Sequence, residues 1–235
     1  MKKKTEVIFF DSNPSTSHNN TLGPLSANIH NHVKNLGVIL DSNLKLDKQV
    51  GSVVRCGFFQ LRIIAKVKPY LSTRDLERVT HAFIASRLDY CNSLYVGMDQ
   101  SLLRRLQLVQ NAAARLLTGT KKRQHITPVL ASLHWLPVRF RIDFKILTFV
   151  YKARNNLAPP FIVDLIRDYT PNRALRSGDQ LLLVTPTTSK RSRGDRAFAA
   201  AAPRLWNSLP LHIRASQSIN IFKSLLKTHF FLLSF

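Results

Sequence analysis

The sequence predicts a mainly α fold. A short β-strand pair stands at the N-terminus, a helical bundle follows, and a basic, loop-rich C-terminal extension closes on an amphipathic helix. Three observations carry this reading. From Lys48 onward, apolar residues recur at helical spacing. Before Lys48, two short apolar runs flank a stretch rich in Ser, Asn, Thr and Pro. Residues 170–196 are rich in Arg, Ser and Thr and are broken by Gly178 and Gly194. The expected division is strands over 1–47, a helical domain over 48–157 and the basic extension over 158–235.

The elements follow in order. "TEVIFF", residues 5–10, reads as a short buried strand, and residues 11–28 as a loop. "HVKNLGVILD" reads as a second strand bent at Gly37, able to pair with the first across the loop. The first helix runs from Lys48 to Pro69, with Val50, Val53 or Val54, Phe58, Leu61 and Ile64 or Ala65 inward. Ser72 caps the next, with Asp75 near its positive end and Leu76, Val79 and Phe83 on one face. A third helix puts Leu102, Leu106, Val109, Ala113 and Leu117 on one side and Arg104, Asn111 and Arg115 on the other; Gly119 stops it. "LHWLPVRFRIDFKI", residues 133–146, alternates like a strand at first. Its apolar signal persists beyond a strand's length, so it reads as a corner with Pro137 in the first turn of a helix and Trp135 as a packing anchor. "PPFIVDLIRDY" is a short helix after its prolines. "RAFAAAAPRLWNSLP" is a helix, a break and a second Trp corner, and "SINIFKSLLKTHFFLLSF" is a last amphipathic helix.

Charge narrows the partners. In 235 residues, Lys and Arg number 35 against 13 Asp and Glu, a net charge of +22. The first 50 residues carry +2 and the remainder +20. So one-sided a charge repels itself unless an anionic partner neutralises it, and RNA or DNA suits it best. With 45% hydrophobic residues, the chain has enough apolar material for a core. Cys56 and Cys91 form neither metal spacing nor a disulfide framework, which suits a reducing compartment. The apolar run after Lys4 is too short for a signal peptide, and none approaches a membrane span. The expectation is a nuclear or cytoplasmic protein, not secreted and with no membrane partner.

Several long motifs stand in order: "SRLDYCNSL", "LRRLQLVQNAAARLL", "HITPVLASLHWLPVRFRIDFKI", "ALRSG", "RAFAAAAPRLWNSLP" and "FKSLLKTHFF". Together they resemble the C-terminal part of reverse transcriptases from LINE-type non-LTR retrotransposons, from about Lys4 to the end. "KKKTEVIFF" is similar to the lysine-bearing end of the palm and "VKNLGVILD" to the primer grip. The resemblance implies that the helices are thumb-like and once held template and primer. The family's Tyr-x-Asp-Asp hairpin has no counterpart here, nor has any adjacent acidic pair. Two-metal chemistry needs such carboxylates. The resemblance therefore implies a non-catalytic piece of a polymerase, with no cofactor and no metal. Gln49-Val50, Gly97-Met98-Asp99 and "DQLLLVTPTTSK" depart from the family's usual residues.

The candidate nucleic-acid contacts are cationic. Arg104, Asn111 and Arg115 form one helix stripe suited to phosphates, which Lys121, Lys122 and Arg123 extend. Arg139, Arg141 and Lys145 are left to face solvent or a polyanion. Lys190, Arg191, Arg193 and Arg196 sit in the loop-rich extension. Lys4 matches the palm lysine, with no carboxylates to serve. His30 and His32 are too few for a zinc site, and Ser42–Lys45 and Ser224–Lys227 match a Ser-Lys hydrolase pattern without its companions. A second class of function is protein interaction through the apolar C-terminal helix.

Overall fold

A computed structural model describes residues 5–10, 23–171, 180–189 and 191–235 of the chain. The fold is mainly helical, with a two-stranded antiparallel sheet before the helices. Both strands, however, lie inside "HVKNLGVILD". β1 (His32–Asn35) pairs with β2 (Val38–Asp41), His32 opposite Asp41 and Asn35 opposite Val38. The connection is Leu36 (φ 45°) and Gly37 (φ 84°), and two successive positive φ values suit the right-handed twist of a hairpin. A two-residue turn closes with less entropy loss than pairing across the long loop, so the local partner wins. Leu36 tolerates its left-handed backbone because its carbonyl accepts a 2.5 Å hydrogen bond from the Tyr90 hydroxyl. "TEVIFF" is not a buried strand: Val7 makes one parallel bridge to Ile29, and Phe10 is exposed. Lys4, Lys190 and the "ALRSG" loop lie outside the described residues.

The carboxylate of Asp41 turns β2 into the first helix. It accepts the backbone N–H groups of Lys45 (2.9 Å) and Leu46 (2.6 Å), after which α1 (Asp47–Val67) begins. Gln49 is buried there, accepting the Ile39 N–H at 2.9 Å and so fastening the hairpin to α1. Val50, Leu61 and Ile64 face inward as their spacing predicts, but Gly57 takes the inward place and Phe58 turns outward. The reason is close approach. α4 (Gln100–Thr118) runs beside α1 in the same direction, and a Cβ on Gly57 would stand 2.6 Å from Val109 Cγ1.

α2 (Thr73–Thr80) is capped by Ser72, whose hydroxyl accepts the Asp75 N–H at 3.1 Å. A π-helical turn, His81–Ala85, then joins it to α3 (Ser86–Asp89). The wider turn shifts the helical phase. Ile84 and Leu88 are buried, and Phe83 points outward instead of joining Leu76. Cys91 is not in a helix: with φ 51°, it starts the 3-10 turn Asn92–Tyr95. Asp99 caps α4 by accepting the Ser101 N–H at 2.7 Å, and Gly119 (φ 70°) ends it. On α4, Leu102, Leu106, Val109 and Ala113 are buried.

The Trp-Leu-Pro corner is held by α4. After α5 (Thr127–Ser132), Gln110 donates to the Leu136 carbonyl at 2.9 Å, and Gln107 accepts the Val138 N–H, also at 2.9 Å. These bonds start α6 (Val138–Arg154), with Pro137 one position ahead of the first turn rather than in it. Trp135 and Leu136 are buried. α6 is the central helix, burying Ile142, Ile146, Leu147, Val150 and Tyr151 around much of its circumference.

α7 (Pro160–Val163), α8 (Arg191–Gly194), α9 (Phe198–Asn207), α10 (Leu211–Arg214) and α11 (Ile219–Ser234) complete the described fold. α9 runs through Pro203 without the expected break. Residues 180–184 are not a free loop: Leu183 is buried, and its N–H and C=O both bond the Asn207 amide, at 2.9 and 2.8 Å. Trp206 is wholly buried and donates to the Leu181 carbonyl at 2.8 Å. Ser218 caps α11, which lays Phe222, Leu226 and Phe230 into the core. Phe222 stacks on Tyr151 at 4.5 Å, and Phe230 meets Phe140 at 5.0 Å. The apolar core is continuous from Leu46 to Phe230.

Candidate nucleic-acid interface

The expected α4 stripe is only partly free. Arg104 is exposed, with no ion-pair partner among the described residues. Asn111 instead accepts a 2.8 Å bond from Gln107, within the network that holds the corner. Arg115 folds back to donate to the Gln124 carbonyl at 3.0 Å. Beyond Gly119, Lys121, Lys122 and Arg123 are exposed, next to the negative end of the α4 dipole.

The cations of α6 separate. Arg139 is exposed beside Phe140, its guanidinium 5.6 Å from the ring centre, and Lys145 is exposed too. Arg141 does not face solvent: it forks onto Asp89, with Nε at 2.9 Å from one carboxylate oxygen and Nη2 closer still to the other. This bidentate pair ties α6 to α3. Asp143, between these cations, is half-buried. Burial pushes its carboxyl up to about 6, against the opposing pull of Arg139.

The extension's arginines are fasteners. Arg193 donates to the Phe10 carbonyl (3.2 Å) and to Asn43 (3.1 Å). Arg196 donates to three carbonyls, of Leu44 (2.6 Å), Val96 (3.0 Å) and Leu94 (3.3 Å). Burial pulls its pKa below the ordinary arginine range, with Asp41 opposing. Gly97 (φ 61°) makes room, since a Cβ there would lie 2.9 Å from Arg196 Cγ. These two residues thus clamp the extension to Phe10, Asn43 and Leu44 and to the turn at Leu94 and Val96, rather than standing loose for phosphate. Lys190 lies outside the described residues, and for Arg191 only the backbone, within α8, is described.

Another basic face went unread in the sequence. On α1, Arg55, Phe59, Arg62 and Lys66 follow one another at i, i+4, i+7 and i+11, all exposed. Ile63 and Phe58 flank them, also exposed. None of the three cations has an ion-pair partner among the described residues. Lys68, just past the helix, donates to the Leu116 carbonyl at 2.6 Å, which sets the end of α1 against the last turn of α4. Lys66, in the last turn of α1, and Lys121–Arg123, just past α4, therefore lie at the same end of the α1–α4 pair. The signal was in the sequence as two superposed periods, one apolar and inward, one basic-aromatic and outward.

Among the described residues, no cluster of His, Cys, Asp or Glu could hold a metal ion, and no helix is long and apolar enough to cross a membrane. The chain matches no family model, no curated protein and no solved structure.

Proposed function

We propose that these residues are a non-catalytic portion of a LINE-type reverse transcriptase, comprising the end of the palm, the primer grip, the thumb and the C-terminal extension, and that they bind RNA and DNA electrostatically. The ordered motifs support the ancestry. The exposed α1 face supports the binding, and it is the observation that carries the reading. Its guanidinium and ammonium groups suit phosphates, and Phe59 between them offers a ring for an unpaired base. The protein would act in the nucleus or cytoplasm.

The test is anisotropy of a labelled RNA hairpin with wild type and with Arg55→Glu, Arg62→Glu and Lys66→Glu combined. All three residues are exposed, so the fold is retained, and circular dichroism checks it. Loss of three phosphate contacts should lower affinity at least tenfold, roughly 1.4 kcal/mol, for all sequences alike. Unchanged affinity removes α1 from the account. A second reading, protein interaction through α11, draws on the exposed Leu232, Leu233 and Phe235 at its end. It predicts a salt-insensitive oligomer with no RNA affinity.

A further inference from the structure

A cavity of about 440 Å³ opens beside the Trp-Leu-Pro corner, between α2, α6 and α11. Its volume lies within the range of small-ligand sites. The apolar wall comes from Trp135, Leu136 and Phe144. Two carboxylates also line it: Asp89 is paired with Arg141, and Glu77 stands 3.8 Å from His81, an ion pair only when that imidazole is protonated. Lys145 of α6 and Lys227 of α11 also line it. Both are exposed, with no ion-pair partner among the described residues. Leu133 and His134 line the cavity as well, and so does Asn92. Asn92 is 2% exposed; its amide nitrogen lies 3.4 Å from Asp89, and its Oδ1 has no hydrogen-bond partner among the described residues. A buried acceptor left unpaired costs free energy and calls for a donor.

The three features ask for three properties in one ligand: a planar, weakly polar body for the aromatic wall, an N–H donor for Asn92, and an anionic group for the two lysines. We propose that this cavity binds a single nucleotide, its base against Trp135 and Phe144 and its phosphate at Lys145 and Lys227. Every base carries an N–H donor on its pairing edge, so the site is tolerant of base identity. A sugar phosphate lacks the planar body, and a fatty acid lacks the donor. The proposal goes beyond the electrostatic face on α1 and stands apart from it, since the two share no residue.

The test is calorimetric titration with CMP, cytidine and ribose 5-phosphate. CMP should bind, with cytidine and ribose 5-phosphate each weaker by about tenfold or more. Lys145→Gln with Lys227→Gln should weaken CMP by about tenfold, as loss of charge-assisted contacts does, and leave cytidine unchanged. The Asn92 side-chain amide should shift in the NMR spectrum with CMP and not with ribose 5-phosphate. A single-stranded oligocytidine that displaces CMP marks a strand as the source of the nucleotide; failure to displace it marks the free nucleotide. Equal binding of CMP and ribose 5-phosphate overturns the proposal, as does no CMP binding at millimolar concentration or an affinity untouched by the two substitutions. RNA-hairpin affinity through α1 should survive those substitutions, so the two proposals fail separately.

Discussion

Asp143 shows how much of this molecule is decided by single side chains meeting distant partners. It sits half-buried on α6, and burial raises its carboxyl to about 6, with Arg139 opposing. A folded-state pKa above the unfolded value means that the native state holds the proton longer. Stability then falls as pH rises from about 4 to about 6, and is level on either side. Asp143→Asn removes the penalty. We expect urea unfolding to show the variant more stable by about 1–2 kcal/mol at pH 8, allowing for solvent screening, and no different at pH 4. Equal stability at both pH values contradicts the assignment. At this scale, the sequence was least informative about its arginines. Arg141 pairs with a carboxylate 52 residues away, and Arg196 with carbonyls 100 to 152 residues away. No periodicity reports such partners, so these side chains read as free charge when they are fasteners.

Helices and caps were legible where the rule is local. Ser72 before Asp75, Gly119 after the α4 stripe and the α11 face all follow from neighbours within one or two turns. The hairpin was hidden because a Leu-Gly turn is not among the common Asn-Gly or Asp-Gly signals. Phe83 was misplaced because a π turn breaks the 3.6 period without a sequence mark. Phe58 was misplaced because hydrophobicity alone favours it over Gly57, whereas helix approach favours the residue with no side chain. That contact is testable. In an isolated helix, Gly→Ala stabilises by about 1 kcal/mol. Here Gly57→Ala should destabilise by about 1–3 kcal/mol, because the new methyl meets Val109 across a packed seam. Combining it with Val109→Ala should be less costly than the two changes summed, a coupling that a double-mutant cycle in urea reads directly. Additive costs would mean that α1 and α4 do not touch there.

At the scale of the whole molecule, a continuous apolar core carries a strongly cationic chain, and few of the cations among the described residues meet a carboxylate. Among the described residues, the carboxylates that pair with an arginine, Asp75, Asp89, Asp168 and Asp195, serve local structure, while the chain as a whole carries +22. Composition alone pointed to that imbalance. What it lacked was location, since the clamp arginines and the α1 arginines are the same residue type. The measurement that bears most directly on this account is affinity of the purified protein for a labelled RNA hairpin and a DNA duplex across a salt series. The account predicts saturable binding whose log affinity falls linearly and steeply with log salt, at a slope of roughly −0.7 to −0.9 for each phosphate neutralised. Absence of binding at low salt, or affinity indifferent to salt, contradicts it.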